Sequence, residues 1–197
     1  MLRDVRPALV LLLAMTLITG LAYPLAVTGV AQALFPAQAG GSLVARDGKI
    51  VGSELIGQTF AGPGYFHARP SATTAPDPAD ATKTVAAPYN AANSGGSNLA
   101  PTAKALVDRV QADVAALHSS TPVPADLVTT SGSGLDPHIS PQGAVFQIAT
   151  VAKARNLPQE TLRDLVAAHT EGRLLGLLGE PRVNVLALNL ALDAIAK

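Results

Sequence analysis

Residues 7–35 read PALVLLLAMTLITGLAYPLAVTGVAQALF and contain no charged side chain. A bilayer core is crossed by a helix of roughly 20 apolar residues. The stretch therefore predicts one transmembrane helix over about residues 8–30, within an N-terminal segment 1–35. Pro24 lies inside this helix, where a proline is tolerated in lipid but disturbs the regular helical turn.

A cleaved secretory signal peptide is the competing interpretation of this stretch. Arg3 and Arg6 form a basic N-terminal region, and Ala31-Gln32-Ala33 or Ala37-Gln38-Ala39 has the small-residue pattern of a cleavage site. However, the apolar run is much longer than the roughly 7–15 residues of a signal peptide, which favours a retained anchor.

The basic residues around the helix predict its orientation. Arg3 and Arg6 precede it, and the next basic residue is Arg46. Because basic residues stay on the cytoplasmic side, we expect a cytoplasmic N-terminus in a single-pass protein of the bacterial inner membrane. The linker 36–45 and the domain 46–197 are then extracytoplasmic.

Composition excludes several classes of function. The chain has 197 residues, of which 48% are hydrophobic and 14% charged, and its formal net charge is +0. A neutral chain does not favour nucleic acid as a partner. Because there is no cysteine, the chain contains no disulfide, thiolate metal site or cysteine nucleophile.

The domain 46–197 reads as a small mixed α/β domain, which makes the whole chain α+β. Asp47-Gly48 stands between two short apolar pairs and predicts a β-hairpin. A long loop is predicted over residues 61–101, with a short strand near Val85. A helix with apolar positions at helical spacing follows Pro101, and residues 125–130 predict a strand.

Three further helices are predicted toward the C-terminus. Ser140 is followed by Pro141, the pattern of an N-cap and a first helical residue. The buried stripe predicted for that helix comprises Ala144, Val145, Ile148, Val151 and Ala152. Another helix opens at Pro158 and Glu160. The apolar segment 182–197 predicts a buried helix, interrupted by Asn184, Asn189 and Asp193.

Residues 131–140, SGSGLDPHIS, place serine, aspartate and histidine close together. A catalytic triad draws these residues from separate elements, and no G-x-S-x-G elbow surrounds Ser133. A phosphate-binding loop and a tight turn whose side chains bond backbone amides both remain open, although the loop holds no lysine. We predict no catalytic residue here, and we name six candidates for nucleotide or partner contact: Ser131, Gly132, Ser133, Gly134, Asp136 and His138.

No metal site is predicted from the histidines. His67, His118, His138 and His169 are scattered, without the spacing of a metal-binding pair. A composite site from Asp136 and His138 is left open.

Two further stretches supply candidates for a subunit interface. YFHARPSA (65–72) combines aromatic and basic residues. Tyr65 and Phe66 suit either the core, with one ring packed and the other exposed, or an interface, and Arg69 is expected to anchor a loop or to pair with a carboxylate. YNAANSGGSNLAP (89–101) is polar and rich in asparagine and glycine. The predicted interface residues are Tyr65, Phe66, Arg69, Asn90, Ser97 and Asn98.

Five blocks of the sequence, in this order, resemble one family. They are YFHARPSA, YNAANSGGSNLAP, DLVTTSGSGLDPHISP, ARNLP and GEPRVNVLALNLALD. They are similar to the C subunit of the bacterial Kdp potassium-transporting ATPase, and the resemblance covers nearly the whole chain. It implies an accessory subunit of a high-affinity, ATP-driven potassium importer, with a channel-like A subunit, a P-type ATPase B subunit and a small F subunit as partners.

The resemblance also implies a role toward ATP. Members of the family are described as catalytic chaperones that raise the affinity of the B subunit for ATP, with the SGSGLDPHIS block as the nucleotide-contacting element. No cofactor is expected to bind tightly to this chain, and ATP is expected to act through the complex. Since the predicted topology puts the domain outside the cytoplasm, we expect its effect on ATP affinity to pass through the membrane helix.

The residues themselves indicate a non-catalytic chain. No D-K-T-G phosphorylation motif is present, and a single helix cannot build a carbonyl-lined potassium filter. The alternative is a membrane-anchored extracytoplasmic binding module unrelated to transport, and an enzyme is a third interpretation.

Overall fold

A computed structural model describes residues 2–195 of the chain. The chain divides into two compact units, Met1–Val51 and Gly52–Lys197. The predicted class is confirmed, since one long apolar N-terminal helix is followed by a mixture of helices and short strands. The predicted boundaries of the segments 1–35, 36–45 and 46–197 stay predictions, and the two outer segments include residues outside the described range.

The first unit is mostly one long helix. Helix α1 (Leu2–Leu17), a π-helical turn (Ile18–Ala22) and helix α2 (Tyr23–Leu34) follow one another without a break, and a short helix α3 (Pro36–Ala39) comes next. From Arg3 to Leu34 the helix is long and apolar enough to cross a membrane. The most apolar 18-residue stretch of this helix has a mean hydropathy of 2.1, and 0% of that stretch is buried in the structure.

The π-helical turn has a local cause. Pro24 has no N–H to donate into the helix. Just before it, the N–H of Tyr23 donates to the carbonyl of Ile18, five residues back, which is the step of a π-helix. In addition, the Thr19 hydroxyl donates to the Met15 carbonyl at 2.7 Å.

A β-hairpin follows the long helix, as predicted. Strands β1 (Leu43–Arg46) and β2 (Lys49–Ser53) form a two-stranded sheet. Asp47 and Gly48 have φ values of 51° and 74°, and a two-residue turn of this kind requires positive φ at both positions.

The second unit contains the remaining elements. Its helices and strands are β3 (Thr74–Pro76), β4 (Thr84–Ala86), α4 (Lys104–Ala116), a 3₁₀ turn (Ala125–Leu127), β5 (His138–Ile139), α5 (Pro141–Arg155), α6 (Gln159–Ala168), β6 (Thr170–Glu171), β7 (Arg182–Asn184) and α7 (Val185–Ile195). Strand β4 is the strand predicted near Val85. It pairs antiparallel with β3 inside the predicted loop.

A three-stranded sheet and three helices form the core of this unit. The strand order is β5–β7–β6, and β7 is antiparallel to both neighbours. Helix α7 follows β7 directly, so the segment 182–184 is a strand rather than the predicted start of a helix. The buried apolar cluster comprises Phe66, Ile139, Ala144, Ile148, Val151, Ala152, Leu162, Val166, Val183, Val185, Leu188 and Leu192.

Helix α5 begins where the sequence predicts. The Ser140 side chain accepts a hydrogen bond from the Gly143 N–H at 2.9 Å, and Pro141 occupies the first helical position. The prediction that Val145 belongs to the buried stripe is wrong, since this side chain is 51% exposed. Val145 lies about 100° around the helix from Ala144, which turns it away from the buried face.

The strand predicted over residues 125–130 is also wrong. The chain forms the 3₁₀ turn there, because local and distant polar groups hold it. Thr129 Oγ1 donates to the Ala125 carbonyl at 2.7 Å, and Asp126 Oδ2 accepts the Ser140 N–H at 2.6 Å. Asp126 therefore ties this turn to the start of α5.

Candidate functional site

Arg69 joins two loops of the second unit that are distant in sequence. Its Nη1 lies 3.3 Å from Asp136 Oδ2, and Nη2 donates to the Thr130 carbonyl at 3.2 Å. Its Nε donates to the Thr129 carbonyl at 3.4 Å. The sequence-based expectation that Arg69 pairs with a carboxylate is thus confirmed. Arg69, Asp136 and His138 are called the Arg69 cluster below.

Asp136 also holds His138. Its Oδ1 accepts the His138 N–H at 3.0 Å and lies 3.2 Å from His138 Nδ1. Burial raises the pKa of Asp136, but the His138 hydrogen bonds and the charges of His138 and Arg69 outweigh burial, so the pKa lies below its ordinary value of 3.8. The carboxylate is therefore ionised at neutral pH.

The serines ahead of this cluster close a tight turn. Ser131 Oγ accepts the Gly134 N–H at 2.9 Å, and Ser133 Oγ accepts the Leu135 N–H at 3.1 Å. Gly134 has a φ of 68°, and a Cβ there would lie 2.6 Å from the Gly95 carbonyl oxygen. Of the interpretations left open for SGSGLDPHIS, the geometry matches the turn whose side chains bond its own amides.

The serines do not form a triad with His138. In the described range, the histidine contacts Asp136, whereas Ser131 and Ser133 contact backbone amides and lie 3.5 Å from each other through their Oγ atoms. Nor does any group of three or more metal-ligating side chains come together within residues 2–195.

The asparagine-rich loop packs against the 131–134 turn. Ser94 Oγ and the Gly95 N–H both donate to the Ser133 carbonyl, at 3.0 and 2.8 Å. Asn90 donates through Nδ2 to the Thr74 carbonyl at 2.8 Å. Ser97 is half-buried and Asn98 is exposed, with a φ of 52°.

Tyr89 connects this loop to Arg69 by donating its hydroxyl to the Arg69 carbonyl. Burial raises the pKa of Tyr89 to about 12, and the charge of Asp136 acts in the same direction against the opposing charge of Arg69. The phenol is therefore a neutral hydrogen-bond donor, as this contact requires.

Tyr65 and Phe66 make contacts within the unit. Phe66 is fully buried, at 0% exposure, and its backbone N–H and carbonyl both bond the side chain of Asn189, each at 2.9 Å. The centre of the Tyr65 ring lies 4.4 Å from the Arg155 guanidinium carbon, and Arg155 pairs with Asp193 at 2.8 Å. The interface role given to the six residues from Tyr65 to Asn98 stays a prediction.

A cleft of about 340 Å³ opens beside the Arg69 cluster. Besides the cluster it is lined by Asp126, Ile139, Ser140, Glu180, Pro181 and Arg182. Sequence reasoning missed Asp126, Glu180 and Arg182 as members of this site, and it missed the Asn189 contact to Phe66. Asn189 did give a signal, because it is a polar residue within an apolar helix.

Replacing Asp136 with asparagine is expected to change stability in a pH-dependent way. Because the folded-state pKa lies below 3.8, the carboxylate stabilises the folded state above that value, and this contribution is lost as the pH falls below it. The difference in free energy of unfolding between the wild type and Asp136→Asn should be constant above about pH 5 and shrink below 3.8. Urea unfolding between pH 3 and 6 checks this, and a difference independent of pH would contradict it.

Comparison with known proteins identifies the family. The family model described as KdpC, K⁺-transporting ATPase, c chain, matches residues 5–194. The chain is 70% identical to the potassium-transporting ATPase KdpC subunit of Methylorubrum extorquens, over 100% of both chains. It is 68% identical to the subunit of that name from Bradyrhizobium diazoefficiens, over 100% of this chain and 99% of the relative. The chain therefore belongs to the family of K⁺-transporting ATPase c chains.

Proposed function

We propose that this chain is a non-catalytic accessory subunit that assembles and stabilises a high-affinity, ATP-driven potassium import complex. Its partners are a channel-like A subunit, a P-type ATPase B subunit and a small F subunit. The family assignment supports a subunit of a potassium-transporting ATPase. It gives no support to the alternative of a binding module unrelated to transport.

The chain is anchored in the bacterial inner membrane by its N-terminal helix, with the second unit outside the cytoplasm. The apolar helix Arg3–Leu34 supports the anchor. Arg3 and Arg6 at its start, with no further basic residue before Arg46, support the orientation.

The observation that carries the proposal is that the 131–138 segment is bonded to its own unit. The Gly134, Leu135 and His138 amides already bond side chains of the segment. A phosphate-binding loop keeps such amides free for the ligand. A nucleotide would have to displace these bonds, so we assign the segment to shaping a rigid surface.

The charges of the cleft also disfavour a triphosphate. Both guanidinium groups of its lining are already paired, Arg69 with Asp136 and Arg182 with Glu171, and of its three carboxylates only Asp126 has no ion-pair partner within the described residues. A polyphosphate would therefore meet no unpaired cation in this lining, and the Asp126 carboxylate would repel it. The residues present do not fit ATP, so the chain raises the ATP affinity of the P-type subunit indirectly, by bracing the potassium-selecting subunit.

Single introduced cysteines test the proposal, since the native chain has none. We expect Ser133→Cys, at an exposed position, to react with a membrane-impermeant maleimide added outside intact cells. Asp4→Cys is the matched control and should react only after permeabilisation. Labelling of Ser133→Cys from the cytoplasm alone would overturn the orientation.

A second measurement tests the indirect effect on ATP. In the purified complex, a photoreactive ATP analogue should label the P-type subunit and leave this chain unlabelled. Removing this chain should raise the ATP concentration needed for half-maximal hydrolysis. Specific labelling of residues 131–138 would show direct contact and contradict the proposal.

A further inference from the structure

The connection between β6 and β7 ends in an apolar tip. Leu174, Leu175, Leu177 and Leu178 are 67%, 85%, 80% and 62% exposed. These four leucines with Gly176 are called the leucine tip below. They expose on the order of 500 Å², which is at the upper end of apolar patches on soluble monomers, where such patches mark interaction sites.

Two backbone hydrogen bonds close the leucine tip. The Leu174 N–H donates to the Leu178 carbonyl at 2.8 Å, and the Leu178 N–H donates to the Leu174 carbonyl at 3.0 Å. Leu175 has a φ of 53°, in the left-handed region that leucine rarely adopts. A backbone held in this unfavourable conformation indicates that the shape of the tip matters for what it contacts.

Two ion pairs surround the base of the tip. Arg173 lies 2.7 Å from Glu180, and Arg182 lies 2.9 Å from Glu171. Because each arginine is neutralised by its glutamate, the base offers no excess positive charge to an anionic surface. A lipid surface also requires no particular tip shape, so the closed turn and the neutral base together favour an apolar protein pocket.

The size of the tip defines the kind of contact it makes. A stable interface between two separate proteins buries about 800 Å² on each partner, which the tip alone does not supply. A chain already held beside its partner by a membrane helix needs less, because tethering raises the effective concentration of the second contact. The tip is thus suited to be a second attachment point.

We propose that the leucine tip docks into an apolar pocket on the extramembrane surface of a companion subunit of the same potassium-transporting ATPase. The inference rests on the proposed accessory function, because it requires the companion to be present. To that function the inference adds the surface by which the second unit is attached to the companion subunit.

Photo-cross-linking in the assembled complex tests the proposal. A benzophenone amino acid replaces Leu175 in the full chain, and the same amino acid replaces Val145 as a control. Val145 is 51% exposed on α5 and lies outside the tip. We expect a cross-linked product with a companion subunit from position 175 and none from position 145. Lipid adducts, or no adduct from position 175, would overturn the proposal.

A charge substitution gives an independent measurement. The double variant Leu175→Glu with Leu177→Glu should leave the thermal unfolding of the isolated full chain unchanged, since both side chains are at least 80% exposed. Its dissociation from the detergent-solubilised complex should be at least tenfold faster than for the wild type or Val145→Glu. Unchanged dissociation contradicts the docking of the tip, whereas failure of the wild-type chain to co-purify with the complex contradicts the proposed function itself.

Discussion

Replacing Asn189 with leucine is expected to lower the free energy of unfolding of the second unit by about 3 kcal/mol. Asn189 is 1% exposed, and its amide bonds both the N–H and the carbonyl of Phe66 at 2.9 Å. Leucine has the same branched side-chain shape, although it is larger, but it leaves two buried backbone groups without partners, and each costs about 1–3 kcal/mol. The added apolar burial offsets part of this loss.

Asn93→Leu is the matched control. Asn93 also bonds backbone, donating to the Thr74 carbonyl at 2.9 Å, but it is exposed, so water can replace the lost bond. We expect its effect to stay below about 1 kcal/mol. Urea unfolding of the full chain in detergent, followed by its tyrosine fluorescence, measures both variants. Equal changes in the free energy of unfolding at the two positions would show that the bonds between Asn189 and Phe66 stabilise the fold no more than an exposed hydrogen bond does.

Replacing Arg69 with alanine is expected to lower the free energy of unfolding by about 2 kcal/mol and to make the 129–138 segment more mobile. The variant removes the cation next to Asp136 and leaves the Thr129 and Thr130 carbonyls without their donor. The loss of stability would be larger if the ion pair were completely buried. The Arg69 and Asp136 side chains are 26% and 29% exposed, so solvent screening reduces the loss.

Hydrogen exchange measures the local part of this prediction. The N–H groups of residues 131–136 and 138 should exchange at least tenfold faster in Arg69→Ala, while those of α7 change less. Arg182→Ala is the control, because its side chain is 57% exposed and its pair with Glu171 lies at the surface. If Arg69→Ala exchanges like Arg182→Ala, the Arg69 cluster does not hold the segment.

The parts of the fold that were predicted correctly depend on neighbouring residues. Asp47-Gly48 favours a tight hairpin without help from the rest of the chain, and Ser140-Pro141 favours a helix start in the same way. The strand expected at 125–130 failed because the conformation there depends on Asp126 reaching Ser140, 14 residues away. Apolar periodicity does not contain that information.

In the candidate site, too, features set by neighbouring residues were predicted and features set by distant residues were not. The sequence indicated that Arg69 anchors a loop or pairs with a carboxylate, but it did not indicate which carboxylate, because Asp136 is 67 residues away. The local bonds of Ser131, Ser133 and Asp136 to nearby amides follow from the turn chemistry of serine and aspartate. The cleft could not be predicted from the sequence, since Asp126 and Arg182 approach it from separate elements.

The bonds between Phe66 and Asn189 have a consequence for the timing of biogenesis. The two residues are 123 positions apart in sequence. At a synthesis rate of roughly 5–20 residues per second, Phe66 is made about 6–25 s before Asn189. Until α7 emerges, Phe66 lacks its bonds to Asn189 and the neighbouring core side chains Val185, Leu188 and Leu192, so the core around this ring stays incomplete for seconds.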